Sequence, residues 1–183
     1  MIFKRFSIYD LIIIAVMAAV GLAIKPVVTA AVHLVSAPLM IPGGSLAGGL
    51  YMLWIVLAYA VTGKFGTATM VGLVQAIMVI ITGMPGSHGI LSLLSYVAPG
   101  VVTDVFLLIF IALCKQEYNR LASFFAGMCA NMTGALIVNL IFFRLPLPFL
   151  ALTTVIAAIS GGIGGLIAWE LYRVMRRYKL TGR

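Results

Sequence analysis

The sequence predicts an all-α integral membrane protein, a bundle of six transmembrane helices, and three observations lead there. Of 183 residues, 63% are hydrophobic and only 9% charged, where a soluble domain carries about 45–50% apolar and about 25% charged residues. The apolar residues fall in runs near the length of about 20 residues that crosses a bilayer at about 1.5 Å rise per helical residue. Gly, Pro, Ser and most of the basic residues lie between those runs and at the two ends. So few charges cannot solvate the surface of a globular domain of this size. A soluble enzyme, a soluble binding module and a disordered chain are all excluded, and one membrane domain spanning 1–183 is expected.

The first span covers about 8–31. The stretch 8–41 reads either as one long helix followed by a loop or as two short helices broken at Lys25-Pro26, because proline brings no backbone donor. The basic start and apolar run resemble a signal peptide. With no small-residue cleavage site before a polar region, a retained first helix is expected. Ser36-Ala37-Pro38 and Ile41 to Ser45 lead into a second span over 46–62, and Gly63-Lys64 separates it from a third over 66–82. Gly83 to Gly89 precede a fourth over 90–113. Lys115 to Arg120 precede a fifth over 121–143, and Arg144 to Pro148 precede a sixth over 149–172.

Charge sets the orientation. With six spans, all of the twelve lysines and arginines except Lys25 and Arg144 fall on one side with both termini, and that side is cytoplasmic. Seven spans would expel one terminal cluster. The net charge of +8 therefore reads as topology and not as a nucleic-acid surface. Segments 32–45, 83–89 and 144–148 then face outward and are the irregular ones. Cys114 and Cys129 show no CxxC spacing, so neither a disulfide framework nor a metal site is expected. No Walker A motif is present, and no cofactor is expected.

Ionisable and polar residues within spans are costly and by default functional. Asp104 is the clearest, sharing a helix face with Tyr96 and Gly100 beside Pro99, so that face reads as a ligand wall. The alternative is that Asp104 pairs with Lys25 or bonds a neighbouring helix. Tyr51 and Trp54 read either as interfacial aromatics or as a platform for a flat ring, which would also favour a cation. Gln75 is a buried amide that needs partners, and Asn131 and Asn139 are either ligand contacts or glue between helices. His33 and His88 sit where an outer mouth would be. Together these groups suit a compact, planar ligand with cationic character. Small residues recur at Ala15, Ala19 and Ala23 and again at Ala157, Gly161 and Gly165. Such stripes serve close helix packing or a docking face for a membrane partner.

Six spans in this length, the Ala15–Ala19–Ala23 stripe, the basic inner face and the absence of ATPase machinery resemble the S components of energy-coupling factor (ECF) vitamin transporters. The stretch Pro42-Gly43-Gly44-Ser45-Leu46-Ala47-Gly48-Gly49-Leu50-Tyr51-Met52-Leu53-Trp54, with Gly66-Thr67-Ala68 after it, is similar to the YkoE-like branch associated with thiamine or its hydroxymethylpyrimidine precursor. The resemblance implies a prokaryotic plasma-membrane subunit that captures a vitamin outside the cell and couples to a T component and two cytoplasmic ATPases. It also implies that Ala15, Ala19 and Ala23 dock the T component and that Asp104 meets a thiazolium or protonated pyrimidine. Substrate contacts are then expected at Asp104, Tyr96, Trp54, Tyr51, Gln75, His88 and Asn131. Two alternatives stand beside it. An autonomous carrier or channel is disfavoured by the lack of an internal repeat. An intramembrane enzyme is disfavoured because Ser87 and His88, adjacent in a loop, are poorly placed as nucleophile and base.

Overall fold

The computed structural model describes residues 5–36, 42–83, 89–115 and 117–178. These form six helices: α1 (Ile8–Ser36), α2 (Gly43–Thr62), α3 (Thr67–Thr82), α4 (Ser92–Cys114), α5 (Arg120–Ile141) and α6 (Leu147–Arg177). The α1 helix runs unbroken through Pro26. In lipid a severed helix would expose backbone groups that nothing can satisfy, so one long helix prevails over two short ones. Ser7 and Asp10 cap its start reciprocally, the Asp10 carboxylate accepting from Ser7 N–H at 2.6 Å. Lys64 in the α2–α3 turn is ion-paired with that carboxylate.

The α2 helix packs against every other helix, and the remaining five follow one another around it in the order α1, α3, α4, α5, α6. That ring is open, since α6 and α1 do not pack together among the described residues. Backbones approach closely where side chains vanish. A methyl group on Gly164 of α6 would lie 2.0 Å from the Gly49 carbonyl oxygen of α2, and one on Gly100 of α4 would lie 2.5 Å from the Ala68 carbonyl oxygen of α3. Of the two small-residue stripes, Ala157, Gly161 and Gly165 are buried, Gly161 lying against Gly127 of α5. Ala15, Ala19 and Ala23 are exposed along α1.

The two halves of the bundle differ. From Ile55 to Thr62 every residue of α2 is buried, packed with Ile14, Met17, Val71, Leu107 and Tyr172 into a solid core. Toward the N-terminus of α2 and the C-terminus of α1 the bundle is hollow.

Candidate functional site

The hollow is a cavity of about 320 Å³, bounded by α1, α2 from its start to Ile55, Gln75 of α3, Ser95 and Tyr96 of α4, and α5 from Asn131 to Asn139. Lys25, Thr29 and His33 reach it from α1, Tyr51 from α2, Gln75 from α3, Ser95 and Tyr96 from α4, and Asn131 and Asn139 from α5. The spacing of Lys25, Thr29 and His33, four residues apart, sets all three on one face of α1. Pro42 and Gly43, where α2 begins, lie at the same end. The charge asymmetry of the loops leads to the expectation that this end faces outward.

Lys25 Nζ donates to the Tyr96 hydroxyl and lies 4.5 Å from the Tyr96 ring centroid and 5.7 Å from that of Tyr51. The Tyr51 hydroxyl is 2.9 Å from Thr29 Oγ1, so the two rings are fixed from α1. Asn131 spends its amide donors on helix ties, to the Ala157 carbonyl at 2.8 Å and the Ser45 carbonyl at 3.4 Å, and turns its remaining surface to the cavity. Asn139 ties α5 to Thr153 of α6 at 2.9 Å. The Ser45 hydroxyl, on the cavity wall, is buried and among the described residues has no hydrogen-bond partner.

Tyr51, Tyr96, Gln75 and Asn131, expected together from the sequence, do line one cavity. Asp104 does not. It is fully buried at the start of α3, accepting from Thr69 N–H at 2.8 Å, Thr69 Oγ1 at 2.6 Å and Ala68 N–H at 3.3 Å. The face shared by Tyr96, Gly100 and Asp104 is the one that packs on α3: Gly72 meets the Tyr96 carbonyl, Gly100 meets Ala68, and Asp104 caps the helix. Of these three only the Tyr96 side chain reaches the cavity; of the two alternatives for Asp104, the pair with Lys25 is not formed and the bond to a neighbouring helix is. Trp54 also lies off the cavity wall; it packs beside Gly21 against the core, and its indole N–H is buried without a partner among the described residues. His88 lies outside the described residues. Lys25 and Thr29 were not expected as contacts. The signal for Lys25 was present, since a lone lysine inside an apolar run carries the same penalty as Asp104.

A family model described as "ABC-type cobalt transport system, permease component" matches residues 9–133. The chain belongs to this family. The chain is also similar to a solved structure titled "Crystal structure of an S-component of ECF transporter", with 18% sequence identity, a TM-score of 0.68, and coverage of 96% of this chain and 86% of that one. That likeness establishes an ECF S-component fold. No curated protein matches the chain in sequence. Family and fold are those of a multi-pass transporter subunit of the prokaryotic plasma membrane and not of an enzyme. Although the family description names cobalt, no group of three His, Cys, Asp or Glu side chains that could hold a metal occurs among the described residues.

Proposed function

We propose that this chain is the substrate-binding subunit of an ECF-type importer, taking a vitamin or vitamin precursor from outside the cell for ATP-driven uptake. The observation that carries the reading is the cavity: about 320 Å³, at the outward end, walled by two tyrosines and a few amides and hydroxyls in an otherwise apolar bundle. Pockets for small organic ligands begin at about 300 Å³ and combine such apolar walls with a few placed polar groups. Tyr51 and Tyr96 supply π faces for a planar ring, and Gln75 and Ser45 supply hydrogen bonds at its edge. Of the two ligands the resemblance points to, neutral hydroxymethylpyrimidine fits better than thiamine, because a thiazolium would meet the Lys25 ammonium with no carboxylate nearby.

Coupling is assigned to a T component and two cytoplasmic ATPases. The exposed Ala15, Ala19 and Ala23 give α1 a smooth face on which another membrane helix can approach closely. The test is purification of the full chain, mass spectrometry of small molecules released on denaturation, and uptake of the released compound by proteoliposomes. A vitamin-sized compound, transported only when T component and ATPases are co-reconstituted, is the expected result. Uptake by the chain alone would establish an autonomous carrier instead.

A further inference from the structure

Among the described residues that line the cavity, Lys25 is the one lysine, arginine, aspartate or glutamate, with His33 beside it on the same helix face, and none of the chain's acids is placed against it. The sequence holds four acids. Asp10 is paired with Lys64, Asp104 is held at the start of α3, Glu170 pairs with Arg173 on the surface of α6, and Glu117 is exposed beyond the far end of α4. What surrounds Lys25 instead is a phenol oxygen and two aromatic rings, which ease the burial of a cation and leave it net positive. An ammonium at membrane depth is expensive to keep, and in a cavity walled for a small molecule its missing partner is the guest.

We propose that Lys25 is the ligand's counter-charge: the cavity takes a planar, vitamin-sized molecule bearing one carboxylate and turns cations away. This rests on the reading of the chain as a substrate-binding subunit and puts an acidic ligand ahead of both the neutral pyrimidine and thiamine. The match is one to one. A phosphate ester carries about −1.5 to −2 at neutral pH and exceeds what one ammonium offsets. The Ser45 hydroxyl, which lines the same cavity and is buried without a partner among the described residues, is a further donor available to an oxyanion.

The experiment compares ligands on one ring. Binding of 4-amino-2-methylpyrimidine carrying a 5-carboxylate, its neutral 5-hydroxymethyl counterpart, and thiamine is measured by calorimetry on the full chain in detergent, with nicotinate and nicotinamide as a second pair. The wild type is expected to bind each carboxylate at least about 10-fold more tightly than its neutral partner, with thiamine weakest. Lys25→Met should erase that preference, read as the ratio of acid to neutral affinity, and Lys25→Arg should keep it. Equal affinity for acid and neutral partner, or a preference that survives Lys25→Met, overturns the proposal and leaves the transporter reading intact. If none of these probes binds, the molecule released from the purified wild type decides: an acid supports the proposal, and a neutral or cationic compound overturns it. A chain that binds no probe, releases nothing and supports no coupled uptake takes down both readings.

Discussion

Asp104 sits inside an apolar helix with its carboxylate on the first backbone donors of a neighbouring helix, Ala68 N–H and Thr69 N–H. Those donors have no partner within α3, and a negative charge there also meets the favourable end of the helix dipole. Removing a partner from a buried donor costs about 1–3 kcal/mol. Asp104→Ala is therefore expected to destabilise the detergent-solubilised protein by about that amount, read as a lower thermal midpoint. Its ligand affinity should stay within about 2-fold, because the side chain does not reach the cavity. A Kd that rises 10-fold without a loss of stability would return Asp104 to the binding site. The sequence shows that a carboxylate in a span must be used, but not for what: the use depends on where α3 begins relative to α4. Lys25 poses the same problem with the opposite outcome. Tyr51, Tyr96, Gln75 and Asn131 were easier to read because each is too polar or too large for a lipid face and lies on the outward half of its span.

At the scale of the element, the two small-residue stripes look alike in sequence and differ in what covers them. Gly164 and Gly49 let α6 and α2 touch backbone to backbone, and a methyl at Gly164 has no room. Overpacking of this kind costs about 1–3 kcal/mol or more, so Gly164→Ala should lower the thermal midpoint and the yield of folded protein. Ala19 is exposed. Ala19→Trp should leave stability and ligand binding unchanged and abolish ATP-dependent uptake, because the bulk intrudes only where a partner helix would lie. Full uptake by Ala19→Trp would remove the docking role of α1. Helix boundaries were largely legible, since apolar runs and Gly or Pro punctuation mark them: Gly63 and Gly83 both end helices in the left-handed conformation. The continuity of α1 through Pro26 was not, because a proline's effect depends on whether lipid or protein surrounds the turn.

Across the whole molecule, a solid half and a hollow half share one bundle, and the distribution of lysine and arginine says which faces the cytoplasm. The packed half adjoins the Lys64 turn and the basic end of α6. The hollow half adjoins the start of α2 and Phe143 just past the end of α5. Loading from outside follows only if both assignments hold, and Gly44 can test them together. It lines the cavity, and a side-chain carbon added there meets nothing within 4 Å. In a background with Cys114 and Cys129 replaced by serine and alanine, Gly44→Cys is expected to react with a membrane-impermeant maleimide in intact cells. A cysteine at Lys115, after the C-terminus of α4, should react only in inverted vesicles. Saturating ligand should slow labelling of the Gly44→Cys protein several-fold, because the reagent and the ligand compete for the same opening. Labelling of that cysteine from the inverted side alone would reverse the orientation, and with it the claim that this cavity loads from the exterior.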